Sequence, residues 1–545
     1  MRNNLEIPQG KRTKLYRFLE ILPGLISYSA IILLFLLSWL DPVLGAVYLF
    51  IIIASTLVKA VGVAYRTIQG YEVIKRAERV NWRRRVEDLE HPHEAYERLR
   101  DDNNKSYHFA EHLAILKHMA TMGHQSYPDP SKTKHVVIMT AYNESEEVLA
   151  PSIEAVISST FPKDRIIFAL AYEERGGEEM EKIAKSLRKK YADSFRDFLL
   201  VKHPANLPHE VIGKGPNLTY AGHAVAKYIE NKKLSVGNII VTTLDSDNHM
   251  APKYLDSVTY EFITHPNRQQ LSYQPVSLFM NNIWDAPAPS RVIAVSNSFF
   301  NVISTMRPHV LRNFASHSQP LQALIAMDFW SKRTIVEDGH QYWRSLFFFH
   351  GDYSVVPIRI PIYQDAVIDD SFWKTIKAQF IQVRRWYYGA SDVAYVGSRL
   401  FVPRERRIMP FWRLFPKFWR LLDGHVTLAI LAPIVAFGGW VPMIMNVSAH
   451  TMVAYNLPNI VSIVETLASI GLIITILVSL KMLPKRPAKY KKGKNILMIA
   501  QWILMPITSI LYQSLAAFYS QTRLMLGLYM EKFDVTKKVI KKQSF

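Results

Sequence analysis

An α/β domain inserted between membrane-spanning helices is the architecture this sequence predicts, and three observations predict it. Five apolar stretches flank a polar middle, at residues 21–40 and 43–65 before it and 426–445, 459–480 and 496–520 after it. Each is near the roughly 20 residues a bilayer core requires. Within the middle, four short apolar runs, HVVIMT (135–140), RIIFALAY (165–172), FLLV (198–201) and NIIVTTLD (238–245), alternate with helix-like stretches at about 145–158, 176–192 and 217–230. Strands alternating with helices at this spacing argue for a parallel sheet with its ligand crevice at the carboxyl ends of the strands. Lysine and arginine, finally, crowd the flanks of the apolar stretches and avoid the short turns between them, as in a polytopic membrane protein.

Composition narrows the class further. A hydrophobic content of 49% with 12% aromatics rules out a mainly disordered chain. Sixty-six Lys and Arg against 46 Asp and Glu give a formal charge of +20, which suits nucleic acid, an anionic membrane surface or a phosphorylated substrate. Much of that excess lies beside the apolar stretches, where positive-inside bias accounts for it, so a nucleic-acid role loses its support. With no cysteine there is no disulfide framework, thiolate metal site or cysteine nucleophile.

Taken in order, residues 1–66 read as a cytosolic tail and a membrane hairpin. Arg2, Lys11, Arg12, Lys14 and Arg17 precede the first span, Arg66, Lys75, Arg76, Arg79 and Arg83 to Arg85 follow the second, and the turn between has neither residue type. The polar middle is therefore expected in the cytosol. Residues 67–133 are highly charged and read as a helical collar against the headgroups, or as a solvated linker. The α/β domain occupies 134–400. Residues 401–423, with MPFWRLFPKFWRLL at 409–422, read as an amphipathic interfacial segment. Residues 424–520 form the second membrane region. The turn at 446–458 lacks Lys and Arg whereas 481–494 carries seven, which makes another hairpin. The stretch 496–520, interrupted at Pro506, is expected to be re-entrant or to split into two short passes, returning the basic tail 521–545 to the cytosol; a simple fifth span is the alternative. Lys59 and Glu465 fall inside spans, where an ionisable group is a functional suspect, although near a span end snorkelling explains Lys59.

The chemistry is concentrated at strand ends. NIIVTTLDSDNH closes an apolar run with Asp245 and Asp247, over the expected crevice. Two hard oxygen ligands with open positions suit a divalent ion bridging a diphosphate, and equally a turn or a helix cap when taken alone. No G-x-G-x-x-G or P-loop pattern is present, which removes support for dinucleotide binding and ordinary NTP hydrolysis.

TAYNE (140–144), GKGPN (213–217), DSD (245–247), VED (336–338) and QVRRW (382–386) occur in an order and spacing that resembles the membrane-embedded family 2 glycosyltransferases, among them cellulose, chitin and hyaluronan synthases. The resemblance runs from about 134 to 390. It implies a GT-A-like (Rossmann-like) cytosolic transferase domain, a nucleotide-diphospho-sugar donor, first of all a UDP-sugar, and Mg2+ or Mn2+. It further implies inverting transfer to a growing β-linked polysaccharide at the cytosolic membrane face, coupled to export.

Carried over residue by residue, Tyr142 and Glu144 would lie at the donor base, Lys214 would contact the donor nucleotide, and Asp245 would hold the sugar-nucleotide while Asp247 ligates the metal. His249 reads as a further ligand or a packing residue. Asp338 would be the general base and Glu337 would touch the acceptor or be structural, while a helix N-terminus would also collect both acids. Gln382, Arg385 and Trp386, at i, i+3 and i+4, share one helix face and would meet the acceptor or the diphosphate. A basic helix resting on headgroups is the other reading of this stretch. Phe533, Val535, Thr536 and Lys538 are similar to the gating loop of cellulose synthases, or form a plain basic tail. The family's aspartate-rich turn after the second strand is replaced here by FALAYEERGGEE, so Glu173 or Glu174 is expected to substitute and the nucleobase stays open. A lipid acceptor, as in ceramide glucosyltransferases and polyprenyl-phosphate sugar transferases, is the rival reading, and a non-catalytic membrane scaffold or transporter subunit is another.

Overall fold

The computed structural model describes residues 5–102, 106–122, 127–446 and 452–532, without the side chains of 56–61 and of several positions between 453 and 472. Phe533, Val535, Thr536 and Lys538, and the side chains of Lys59 and Glu465, lie outside what is described. Two long helices open the chain, α1 (Lys14–Leu40) and α2 (Pro42–Arg79), joined at Asp41, whose carboxylate accepts the Val43 N–H and caps α2 with Pro42 in its first turn.

Three short helices follow, α3 (Trp82–Glu90), α4 (Pro92–Leu99) and α5 (Phe109–Met122). They are the predicted collar, but their apolar side is spent on the domain. Trp82, Val86, Leu89, Leu116 and Met119 share one core with the sheet and with α9 below, and the Trp82 ring meets Tyr260 edge-on at 5.6 Å. His112 bridges Tyr260 Oη at 3.0 Å and Asp88 at 3.3 Å. A headgroup-facing collar would have kept those side chains outward, so the expectation is corrected: helices α3, α4 and α5 pack into the domain.

The domain begins with β1 (Lys134–Ala141), α6 (Glu146–Ile157), β2 (Ile166–Glu173), α7 (Gly177–Tyr191), β3 (Asp197–His203), α8 (Lys214–Asn231) and β4 (Ile239–Leu244). All four predicted strands and all three predicted helices are present. β1, β2 and β4 are buried on both faces, the signature of parallel strands covered on two sides. Val137, Met139, Phe168 and Leu170 face α6 and α7, whereas Val136, Ile138, Ile167 and Val241 face Leu218, Ala221 and Val225 of α8.

The remainder comprises β5 (His249–Met250), α9 (Tyr254–Thr264), β6 (Leu271–Phe279), α10 (Ala288–Thr305), β7 (Ser318–Pro320), α11 (Leu321–Ala326), α12 (Glu337–Phe348), β8 (Ser354–Gln364), α13 (Phe372–Tyr387) and α14 (Ser391–Leu400). The eight strands form one sheet in the order β3-β2-β1-β4-β7-β6-β8-β5. β1 to β4 are parallel as expected, but β7 runs antiparallel to β4 and β6, and β5 runs antiparallel to β8. The sheet is therefore mixed. Pro275 in β6, at a register shift, and Pro357 and Pro361 in β8 hide those strands from a sequence reading, since proline ordinarily demotes a run to an edge or a bulge. The direction of strand order reverses at β1, which opens a crevice between the ends of β1 and β4.

Beyond the domain come α15 (Phe411–Phe437), continued by further helical turns to Met445, α16 (Met452–Met482), and a composite helix α17 spanning Gly493–Leu526. The predicted interfacial segment is not a separate element. It is the first half of α15, with Leu414, Phe418, Leu421 and Leu422 buried and Trp412 and Trp419 exposed. By length and composition, three helices among the described residues are able to cross a membrane: Lys14–Leu40, Phe411–Met445 and Gly493–Leu526.

α17 tightens to a 3-10 turn at Gln501–Leu504 and widens to a π turn at Ser509–Ser514, but does not reverse direction. Both its ends touch the domain. Lys489, just before it, pairs with Asp285 at 2.6 Å, Arg291 donates to Gln501, and Ser520 Oγ donates to the Arg384 carbonyl at 2.6 Å. One face, Ile496, Ile499, Ile503, Ile507, Leu511 and Leu515, is exposed at helical spacing. The tail thus returns to the domain because the helix lies along α13, a geometry that proline-based punctuation does not show.

If α3 belongs to the domain's core, truncating Leu89, which is 1% exposed, to Ala will cost about 2–5 kcal/mol. A thermal unfolding midpoint within error of wild type would refute that assignment.

Candidate active site

The strand order dictates the floor of the site. Glu173 ends β2, Tyr142 follows β1 and Asp245 follows β4, so these three side chains stand side by side along the carboxyl edge, with Phe279 of β6 and Gln364 of β8 further on. They line one cavity of about 820 Å3 whose other walls come from α8, α10, α12, α13, α15 and α17. That volume suits a drug-sized or larger ligand.

Each predicted donor residue has a definite task. The Glu144 carboxylate accepts the N–H groups of Tyr142 (2.7 Å) and Asn143 (3.2 Å), and its other oxygen accepts the Ser246 hydroxyl at 3.1 Å. Glu144 is thereby the staple between the β1 turn and the Asp245–Asp247 loop. Arg175 lies 5.6 Å from the Tyr142 ring centre and donates to Glu173 at 2.8 Å. Gly176 is required there, because a Cβ would come within 2.0 Å of the Tyr142 carbonyl oxygen. Behind Glu173, His203 joins Glu173 and Glu210, each at 3.1 Å. Burial alone would lower its pKa, but the two carboxylates outweigh burial and raise it to about 9. Glu174 points elsewhere, accepting the Ala205 N–H at 2.9 Å.

Lys214, at the first turn of α8, is the centre of the site. Its Nζ is 2.8 Å from Asp245, 3.1 Å from Asp338 and 3.8 Å from Glu337, and its side chain is 8% exposed. Burial by itself would lower the lysine pKa; the three carboxylates reverse this and raise it. Gly215 permits the close approach of α8 to the segment leading into α12, since a Cβ would fall 2.3 Å from the Ser331 carbonyl oxygen. Glu337 and Asp338 occupy the first turn of α12, where the helix dipole favours acids. Burial, then the Asp338 charge, push Glu337 up to about 8, partly opposed by Lys214. Asp338 remains 20% exposed to the cavity.

Gln382, Arg385 and Trp386 all face the cavity from α13, and Trp386 packs toward Phe279 with ring centres 6.0 Å apart. Asp247 lines the cavity, while His249, on β5, does not. His249 is half-buried, and burial lowers its pKa.

Asp245 and Asp247 present two carboxylates to one cavity, which fits a divalent cation that completes its shell from a diphosphate and water. Among the described residues no group of three or more His, Asp or Glu side chains is arranged to hold an ion by itself. Residues that sequence reasoning missed include Arg175, His203, Arg312, Asp392, Gln513 and Lys532. Lys532 lines the cavity because the tail pairs with the Lys214 loop, the Ile212 N–H donating to the Glu531 carbonyl at 3.1 Å. No local pattern marks these residues, apart from the strand-end position of His203.

Residues 240–478 match the model of glycosyl transferase family group 2, a stretch that begins in β4 and includes Asp245, Asp247, Glu337, Asp338 and the Gln382–Arg385–Trp386 set. No curated protein matches the chain. Among solved structures, it is similar to a mannosyltransferase from Pyrobaculum calidifontis in complex with GDP-Man and Mn2+ at 13% identity and a TM-score of 0.39, covering 72% of this chain and 98% of that one. It is also similar to S. aureus TarS 1-349 in complex with UDP-GlcNAc, at 11% identity and a TM-score of 0.33, covering 72% and 92%. A third is glucosyl-3-phosphoglycerate synthase from Mycobacterium tuberculosis, at 11% identity and a TM-score of 0.28, covering 50% and 80%.

Replacing Lys214 with Met leaves three carboxylates without their buried cation, and about 3–5 kcal/mol of stability should be lost. Guanidinium unfolding unchanged from wild type would rule out that role. A pH prediction comes from His203. Its folded-state pKa is raised, so its stabilising effect is complete below about 6.5 and is lost as pH rises through about 9. The unfolding midpoint should fall across that window, and His203→Asn should flatten the fall; an identical slope in the variant would remove His203 as its source.

Proposed function

We propose that this glycosyltransferase transfers a sugar, with inversion, from a nucleotide-diphospho-sugar to an acceptor hydroxyl at a membrane face, the acceptor being a growing β-linked polysaccharide and the donor first of all a UDP-sugar. The observation that carries the reading is the convergence of Asp245, Asp247, Asp338 and Arg385 on one cavity around Lys214. The domain is read as GT-A-like on its mixed sheet with the site at the β1/β4 switch point.

In this reading Tyr142 and Arg175 hold the nucleobase with Glu173, an anion held by His203 and Arg175. Asp245 and Asp247 are the residues that would hold Mg2+ or Mn2+, which supplies charge neutralisation at the leaving diphosphate when bound. Lys214 and Arg385 add positive charge on the same side. Asp338 accepts the proton of the acceptor hydroxyl as that oxygen bonds to the anomeric carbon. The anomeric carbon–oxygen bond to the diphosphate breaks, and its electron pair leaves with the nucleotide diphosphate. Trp386 offers a flat face to a sugar ring. The three long apolar helices support membrane association, and the Lys and Arg flanks support a cytosolic domain. A lipid acceptor is the second reading, favoured by the entry of α15 and α17 residues, His425, Leu428 and Gln513, into the cavity wall.

Detergent-solubilised protein incubated with a panel of nucleotide sugars and Mg2+, Mn2+ or EDTA should release nucleoside diphosphate from one donor in a metal-dependent way, with a high-mass labelled product. A small lipid-extractable product would replace the polysaccharide acceptor by a lipid, and no release from any donor would refute the transferase assignment of these residues. Asp338→Asn should lower turnover by about 10²–10⁴-fold with donor affinity nearly unchanged; equal loss of both would remove its role as base. Asp247→Asn should instead weaken metal-dependent donor binding, and an unaltered metal requirement would exclude it as a ligand.

A further inference from the structure

The roles assigned above leave one charged liner of the cavity unused. Arg312 lies in the segment between α10 and β7, its guanidinium 5.7 Å from the Trp343 ring centre, and it lines the cavity. It makes no ion pair or hydrogen bond among the described residues. The acid whose charge acts on it is Asp392, and one oxygen of that carboxylate is bonded to His340 Nδ1 at 2.6 Å. A guanidinium in such a position is costly without an anion.

Arg312 is also set apart from the Lys214 cluster by its contacts: Lys214 meets Asp245, Glu337 and Asp338, whereas Arg312 meets Trp343, further along α12. Arg420, exposed on α15, repels both Arg312 and Arg307, and neither Arg307 nor Arg420 pairs with a carboxylate among the described residues. Arg420 thus adds positive charge at both Arg312 and Arg307, and of the three only Arg312 lines the cavity. The remaining walls there are supplied by the apolar helices, with Leu428 of α15 and Gln513 from the π turn of α17. A planar guanidinium fork matches the two oxygens of a phosphoryl or carboxylate group better than an ammonium does.

We propose that Arg312 binds an oxyanion, phosphoryl or carboxylate, carried by the acceptor, so that the substrate entering beside α15 is an anionic molecule. The word acceptor rests on the transferase reading; the anion site does not. Arg312 is the contact, and Arg420 adds positive charge beside it.

The test is donor-free binding to the full-length protein in nanodiscs with EDTA present, using two matched probe pairs. One pair is farnesyl phosphate and farnesol; the other is a short oligosaccharide ending in glucuronate and its counterpart ending in glucose. One anionic probe should bind at least tenfold tighter than its neutral partner, Arg312→Gln should abolish that preference, and Arg312→Lys should retain part of it, which separates loss of charge from misfolding. A phosphate preference identifies a lipid phosphate, and a glucuronate preference identifies an acidic saccharide. No anion preference in either pair, or one that survives in Arg312→Gln, overturns the proposal. Nucleoside diphosphate release, measured on a separate aliquot with donor and with Mg2+ or Mn2+ in place of EDTA, reports separately on the transferase reading, so failure of one is not failure of the other.

Discussion

A single buried ammonium organises the centre of this molecule. Lys214 sits among Asp245, Glu337 and Asp338, which come from the end of β4 and the start of α12. Three carboxylates this close would repel one another severely in a poorly hydrated site, and one lysine cannot neutralise them all. Burial and the neighbouring Asp338 charge raise the pKa of Glu337, which lessens the imbalance. Asp245 and Asp338 meet Lys214 from the end of β4 and from the first turn of α12, so this one side chain ties the two elements together at the cavity.

That cluster is held in place by packing well away from it. The parallel strands β1, β2 and β4 are covered on both faces, so their carboxyl ends cannot shift without opening two cores. The helices outside the domain are cemented to it too. Leu5, Ile7, Tyr16 and Leu19 share a core with Tyr342 and Trp343 of α12, and Ile74 of α2 packs with Val276, Leu278 and Trp502. Arg12 and Arg17 both reach Glu20, and Tyr529 joins the same carboxylate at 2.8 Å, so the start of α1 and the segment after α17 meet. The apolar helices are thus walls of the site as well as candidate anchors.

Much of this was legible locally. β1, β2 and β4 were readable because a doubly buried parallel strand is a continuous apolar run, the acids at 245 and 247 were readable because they end such a run, and those at 337 and 338 were singled out only by the family resemblance. The second half of the sheet was not readable. β7 is three residues of Ser, Gln and Pro, and β6 and β8 carry prolines at positions that strand patterns exclude. The collar was misjudged for a related reason: a segment with many charges buries a narrow apolar stripe, and charge count conceals what the stripe faces. Where α17 runs was also beyond local reading, because its partner, α13, is more than a hundred residues away.

The sequence by itself determined the class of molecule, an α/β domain among long apolar helices, and the chemical identity of the acids at its strand ends. These are properties of periodicity and of individual side chains, and they do not depend on distant contacts. Only the tertiary structure decided which charges meet. It joined Lys214 to Asp338 across 124 positions, put His203 behind Glu173, returned the tail to the Lys214 loop, and left Arg312 facing the cavity without a carboxylate. Pairing of that kind is fixed by strand order and helix packing, and those arise from burial summed over the whole chain, which no short stretch encodes.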